Sequence, residues 1–387
     1  MKRRGLLFGL GFNIIVLGIA SFLTDVSSEM IFPLFPLFTV EVLGAGAAAL
    51  GLMEGVAESA ASLLKVISGW WSDKLRRRKP FVVSGYGLST VVKPMLALST
   101  SWPQALGVRF ADRVGKGLRT APRDAIIADS SAPSVRGKAF GLHRTLDTLG
   151  AVLGPAIAFL LLPLLGYRKV FLVATIPAAI AVVVLILFVR EVFAGRKGAK
   201  ISLRVGLSSE FRLYLAIVAL FTLGNFSWAF LILRAKDIGV APGYTILLYM
   251  FHSLIYALAS LPAGMLSDRV GRRPVIALGY SIFGITCVGF ALASSPWHAI
   301  FLFATYGLFR GITEGVQKAY VSDIVVPELR GTAMGTFDTV SGIAAFPASF
   351  IVGILWQSIG VQAAFAYGAT LSFAATMLLL GALKRSR

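Results

Sequence analysis

Cysteine, acidic residues and charge of any kind are scarce in this 387-residue chain. The single cysteine, Cys287, lies inside an apolar run, which excludes an intrachain disulfide framework and a thiolate metal cluster. Charged residues make up only 14% of the chain against 57% hydrophobic, and the mean hydropathy is +0.80. Such a composition excludes a soluble globular domain and fits an integral membrane protein. The Gly-Lys-Gly at residues 115 to 117 is no phosphate loop, because neither a leading GxxxxGK[ST] nor a strand-to-helix context surrounds it. No nucleophile and base stand assembled either, so no enzyme and no cofactor are expected.

Acidic residues number 18 against 37 Lys and Arg, a net charge of +19. Nucleic acid is not the expected partner, because the basic residues collect at alternate ends of about twelve apolar runs between residues 8 and 383. One set of alternate loops holds only Arg168, Lys169, Arg234 and Lys236, while the other set and both tails hold nearly all the remaining basic loop residues. By the positive-inside rule both termini are cytoplasmic, and a multi-pass plasma-membrane protein surrounded by lipid bilayer is expected, as a monomer. The first run continues into TDVSSEMIFPLFPLF without a small-residue cleavage site, so it does not read as a cleaved signal peptide.

Internal repetition divides the chain. GMLSDRVGRRP, beginning at Gly264, repeats GWWSDKLRRRKP, beginning at Gly69, and a second block aligns Lys116 with Arg310, Asp129 with Asp323, and Arg136 with Arg330. The first block is offset by 195 residues and the second by 194, so one residue is gained or lost between them. The polar, basic stretch 191–209 then reads as a cytoplasmic linker between a six-helix bundle at 1–190 and another at 210–387. The expected fold class is an all-α membrane protein with twelve transmembrane helices in two pseudo-symmetric bundles.

Ionisable residues at membrane depth must face the bundle interior, a partner or water. The third, sixth, ninth and twelfth runs are nearly free of them, Lys93 excepted, and are expected to face lipid. The fourth run is the opposite case: Arg109, Asp112, Lys116, Arg119 and Arg123 fall near one face at spacings of three and four, with Arg113 one step round. Counter-charges for it are sought in Asp25 and Glu29 on the first run, Glu54 and Glu58 on the second, and Asp147 on the fifth.

The residues at Gly264 to Arg273 match the loop motif G-x-x-x-D-[RK]-x-G-R-R, and with them the chain resembles the major facilitator superfamily of secondary transporters over nearly its whole length. In the first copy Gly69, Asp73 and Lys74 match, whereas Arg76 stands where the motif has glycine. Arg113 and Gly117 resemble the family's fourth-helix pattern. Gly141, Gly150, Gly154 and Pro155 match the G-x8-G-x3-G-P pattern of the family's drug/proton antiporter-like branch, with Ala158 and Phe159 replacing its final glycine pair. The resemblance implies alternating access around a midplane site.

Several roles follow. Proton coupling is expected at Asp25 first, then Asp112 with Arg113, then Glu58, because desolvation and a departing cation both favour the protonated carboxylate. Substrate contacts are expected from Glu29, Glu54, Lys116, Arg119, Asp147, Asn225, Trp228, His252, Tyr256, Arg310 and Glu314. A cytoplasmic gate is expected at Gly69, Asp73, Asp129, Arg136, Gly264, Asp268, Arg272, Asp323 and Arg330, with Asp129 paired to Arg136 and Asp323 to Arg330. His143 and Asp147, one turn apart, could share a divalent ion, but a hydrogen-bonded histidine is the commoner use of that spacing, and no metal is expected. The expected activity is export of a small organic or ionic solute by proton-coupled antiport. The alternatives are import of a small anionic solute and, in another class, a lipid flippase or scramblase, against which the charged interior argues.

Overall fold

The computed structural model describes residues 11–131, 135–192, 208–326 and 329–383, and among these it is helical with no strand. Helix α1 (Phe12–Ile31) runs into a short α2 (Phe35–Leu37) and a π-helical turn at Phe38–Val42. There follow α3 (Ala47–Leu75), α4 (Lys79–Leu98), α5 (Trp102–Asp129) and α6 (Arg136–Phe188). The remaining helices are α7 (Ser209–Gly224), α8 (Ala229–Asp237), α9 (Pro242–Val270), α10 (Arg272–Leu292), α11 (Pro296–Asp323), α12 (Arg330–Ser358) and α13 (Val361–Leu383). Nine helical stretches among the described residues are long and apolar enough to cross a membrane. The 28-residue α5 and α11 fall outside that set because charged and polar residues run along them.

Local sequence explains the boundaries. Ser101 and Ser295 stand in extended conformation before α5 and α11, each followed by a proline within the first two helical positions, where a missing N–H costs nothing. Ser208 accepts the Phe211 N–H at 3.1 Å and so opens α7. Two expected spans run together in α6, with the break at Gly166 (φ 69°, ψ 171°), a conformation open to glycine. The seventh expected span is itself interrupted at Asn225, leaving α7 and α8 as separate pieces.

Contacts gather the chain into two compact units, Met1–Phe38 with Ala60–Lys200, and Thr39–Ser59 with Ile201–Arg387. In the first, α1 packs along α6, and α4 packs against α5 and α6. A Cβ on Gly150 would lie 2.8 Å from the Phe22 carbonyl oxygen and 2.9 Å from Asp25 Cβ, and one on Gly154 would lie 2.6 Å from the Val26 oxygen and 2.8 Å from Glu29 Cβ. The two backbones therefore touch where only glycine fits. In the second unit, α9 pairs with α11, and α10 with α11 and α13, around a ring cluster in which Phe221 stacks on Tyr280 at 3.6 Å between centroids.

One feature departs from the sequence reading. Thr39–Ser59 was expected within a bundle at 1–190, but small residues bring it against α12: a Cβ on Gly51 would sit 2.2 Å from the Ser349 oxygen, and one on Gly353 2.5 Å from the Ala47 oxygen. Ser59 Oγ adds a hydrogen bond to the Gly342 oxygen at 2.6 Å. The charge-poor α4 and α10 each keep an exposed apolar face, Val91, Met95 and Leu98 on α4 and Ile285, Val288 and Leu292 on α10, while Lys93 is buried on the other side of α4.

Two predictions come from this packing. Gly150→Ala is expected to cost about 1–3 kcal/mol through overpacking. Gly141→Ala, at a glycine of the same pattern with nothing within 4 Å, should be neutral or slightly stabilising. Thermal unfolding of the two variants in detergent compares them, and equal melting temperatures would contradict the packing argument. Arg76 holds a left-handed φ of 53°. Arg76→Gly is therefore expected to stabilise the chain by about 0.5–1 kcal/mol net of glycine's entropy cost, read as a higher melting temperature in the same assay.

Candidate functional site

The basic face of α5 decides the chemistry of the first unit. Arg109 and Arg113 are 6% and 3% exposed, and both stack on Phe32, with guanidinium carbons 4.7 and 4.5 Å from the ring centre. Arg109 also lies 4.9 Å from the centre of Phe35. Arg119 stacks on Tyr86 at 4.5 Å and donates to Ser89 Oγ at 2.6 Å. Arg123 pairs with Asp124 at 2.9 Å and donates to Ser21 Oγ at 3.3 Å. A guanidinium is planar and weakly hydrated, so aromatic faces satisfy it where an ammonium would need water.

Glu54 and Glu58 belong to the second unit, carried there by the small-residue packing of Thr39–Ser59 on α12. Glu54 is buried and accepts from Ser227 Oγ at 3.0 Å, while Glu58 is exposed. Phe32, Phe35, Tyr86 and Ser89 are the partners that charge-counting passed over. Their helical spacing against the arginines could have revealed them.

Asp25 and Glu29, one turn apart on α1, are pressed toward α6 by the contacts of Gly150 and Gly154. Asp147 precedes Gly150 by one turn on α6, and its Oδ2 lies 3.4 Å from His143 Nδ1. Asp147, Glu29, Lys116 and Arg123 all act electrostatically on Asp25. The expected carboxylates of α1 and α6 are thus brought together, with Lys116 and Arg123 of α5 as the nearby cations. No three His, Cys, Asp or Glu side chains converge as metal ligands among the described residues.

Across α1, Lys93 of α4 directs its ammonium to Ser27 Oγ at 2.7 Å and Ser28 Oγ at 3.1 Å. Ser27 in turn donates to the Ala174 carbonyl oxygen. Asp112 faces Lys93 across a small cavity, and its Oδ1 is buried without a hydrogen bond among the described residues. Lys93 was not among the expected site residues.

In the second unit, Trp228, Tyr249 and His252 form a chain of rings with centroids 4.9 and 5.0 Å apart, and Tyr306 lies 5.5 Å from His252. His252 Nδ1 is 2.6 Å from the Tyr249 carbonyl oxygen. Arg310 stacks on Tyr256 at 5.4 Å and pairs with Glu314 at 3.2 Å. Asn225 and Trp228 flank the break between α7 and α8, where the Ser227 N–H donates to Ser349 Oγ at 3.1 Å. Three of the expected contact residues therefore lie on or beside the break: Asn225, Trp228 and, through its hydrogen bond from Ser227 Oγ, Glu54.

The repeated loop motifs build matching ion pairs inside each unit. Arg272 Nη1 meets Asp268 Oδ1 at 2.5 Å and its Nε meets Asp323 Oδ2 at 3.1 Å. In the first unit, Arg78 bridges Asp73 at 3.1 Å and Asp129. Arg78 is the equivalent of Arg272 at an offset of 194, while Asp73 and Asp268 keep 195, which places the extra residue in the turn at Arg76 and Arg77. Gly271 (φ 93°) and Arg76 occupy the left-handed positions of the two turns. The expected Asp323 to Arg330 pair is not the one formed, because Arg330 Nε donates to the Ser322 oxygen and Asp323 is taken by Arg272. The Arg136 side chain lies outside the described residues. The motif glycines also differ: a Cβ on Gly69 would lie 3.2 Å from Ala121 Cβ, and one on Gly264 meets nothing within 4 Å.

Comparison with known proteins identifies the family. The sequence model of the Major Facilitator Superfamily matches residues 17–233 and 213–387. An uncharacterized MFS-type transporter of Methanocaldococcus jannaschii is 42% identical over 379 residues, covering 95% of this chain and 94% of its own. The multidrug resistance protein MdtG of Proteus mirabilis is 28% identical over 303 residues, 74% of each chain. Among solved structures, a POT family transporter in complex with 5-aminolevulinic acid superposes with a TM-score of 0.83 at 13% identity, covering 98% of each chain, and so shares the fold. With the family model spanning both halves and a relative matched along nearly its whole length, the chain belongs to the Major Facilitator Superfamily and is a multi-pass membrane transporter.

Proposed function

We propose that this transporter exports a small organic or ionic solute in exchange for protons, by alternating access of two six-helix halves around a midplane site. The observation that carries the reading is the seating of Asp25 and Glu29 against Gly150 and Gly154, with Asp147 one turn away and the cations Lys116 and Arg123 within electrostatic reach. Three carboxylates and two cations so placed can exchange partners when α1 and α6 shift against α5. A carboxylate that keeps a cation stays ionised, and one that loses it in a dry bundle takes up a proton. Asp25 is the primary carrier, Asp112 beside Arg113 the second and Glu58 the third. The multidrug relative supports the direction of transport.

Cargo is received by the ring chain of Trp228, His252 and Tyr256 with Asn225, and its charge is matched by Arg310 and Glu314. The paired loop motifs lie on the cytoplasmic side, as do both termini, and hold the helix ends that must part when the inner gate opens. The protein works as a monomer in the plasma membrane.

Proteoliposomes loaded at one pH and diluted into another test the coupling, with ethidium as the first probe and small organic acids in parallel. Flux should follow the pH gradient and fall at least tenfold in Asp25→Asn. Flux that persists unchanged when the gradient is collapsed would rule out proton antiport, and full activity in Asp25→Asn would move the coupling to another carboxylate.

The two loop ion pairs should differ in strength. The Arg78 side chain is 7% exposed and Asp129 15%, whereas Arg272, Asp268 and Asp323 are 24%, 63% and 51% exposed. Arg78→Gln is therefore expected to cost about 1.5–3 kcal/mol through loss of its charge-assisted bonds to Asp73 and Asp129. Arg272→Gln should cost under about 1 kcal/mol. Unfolding midpoints of the two variants measure the asymmetry, and a similar loss in both would disprove it.

A further inference from the structure

We propose that His143 on α6 carries a proton during the transport cycle, and that Asp147 is the residue that positions its ring. The inference rests on the proton-antiport reading and adds a carrier to Asp25. His143 is 4% exposed, and its Nδ1 lies 3.4 Å from Asp147 Oδ2, one turn along the same helix. Its other ring nitrogen, Nε2, is buried and makes no hydrogen bond among the described residues, and neither does Asp147 Oδ1. A buried polar atom without a partner costs stability, and a histidine that served only to pack would find a donor for it.

The surroundings leave the two side chains to each other. The charged groups acting on His143 are Arg123 and Asp124 of α5, with Arg144 and Asp147 of α6 itself. Arg123 directs Nε and Nη2 to Asp124 Oδ1 at 3.0 and 2.9 Å and Nη1 to Ser21 Oγ at 3.3 Å, which turns all three of its nitrogens away from Asp147. From α1, Asp25 interacts electrostatically with Asp147 and is seated against Gly150, a turn further along α6. On α4, Tyr86 acts on Arg123, and the Lys93 ammonium is held by Ser27 and Ser28.

These contacts fix the chemistry. A carboxylate at Nδ1 selects the neutral tautomer with its proton on Nδ1 and leaves a lone pair on Nε2. A proton delivered through water adds to that lone pair, and the imidazolium so formed still donates Nδ1–H to the Asp147 carboxylate. The pair passes from one negative charge to none, and regains it when Nε2 returns the proton to water. Because net charge is costly at membrane depth, loading the proton changes which surroundings the pair tolerates. A long resting contact that tightens when the ring becomes charged suits such a cycle.

Proteoliposomes containing the full chain test the proposal with ethidium. In His143→Gln, flux driven by a pH gradient should fall at least about tenfold, while ethidium counterflow without a gradient stays within about twofold of wild type. Asp147→Asn, which keeps an acceptor for Nδ1–H, should lose less driven flux. Driven flux in His143→Gln that matches wild type across the pH range overturns the proposal, and loss in Asp147→Asn alone would make the carboxylate the carrier. Wild-type flux that ignores the gradient sinks the antiport reading and the proton carrier with it, so the two failures are told apart by the wild type. Should His143→Gln fail to fold, ring-nitrogen NMR of histidine-labelled protein at about pH 8 decides the matter, with the His252 and His298 signals identified through His252→Gln and His298→Gln. A bare Nε2 on His143 supports the proposal, and a proton on Nε2 removes it.

Discussion

The stacking of buried guanidinium groups on aromatic rings is the constraint on which the first unit rests. Phe32 lies between Arg109 and Arg113, and Tyr86 lies under Arg119. Without those faces, a helix carrying five basic residues could not sit inside an apolar bundle at tolerable cost. The rings fix where α5 stands relative to α1 and α4, and hence where Lys93, Asp112 and Lys116 point.

The second unit solves its problem differently. Its interior holds a cluster of stacked rings, the half-buried ion pair of Arg310 with Glu314, and a backbone break between α7 and α8. At that break the Ser227 N–H donates to Ser349 Oγ and the Ala229 N–H to Ser227 Oγ, whose own hydroxyl donates to Glu54. Buried charge is concentrated on α5 of the first unit, and stacked rings fill the second.

Much of this was readable from the chain itself. The class, the helical order and the internal repeat follow from hydropathy, loop charge and the spacing of Asp73, Asp129, Asp268 and Asp323. Gly150 and Gly154 announce a close helix contact, but not that the helix they meet is the one carrying Asp25 and Glu29. Partner choice was harder. Charge-counting pairs cations with anions and has no way to weigh Phe32 or Tyr86, whose role depends on which helix faces which. Lys93 stands out as an exception in the sequence, but a single charge on an otherwise apolar helix says nothing about the rotation of that helix. The tight packing of Gly51 and Gly353, which sets the surroundings of Glu54, is a tertiary fact without a local periodic signal.

The extra residue in the turn after α3 has a bearing on how relatives should be compared. Counting forward from the motif glycine, Arg272 stands eight residues after Gly264, and the same count from Gly69 lands on Arg77. The side chain that holds Asp73 and Asp129 belongs to Arg78. A gapless alignment of the two halves, or a mutational scan that copies positions across by count, would therefore alter an exposed neighbour and conclude that the first-half arginine is dispensable. Insertion here has shifted the register of the motif while conserving the contact, so equivalence between the halves is defined by the ion pair and not by the spelling of the loop.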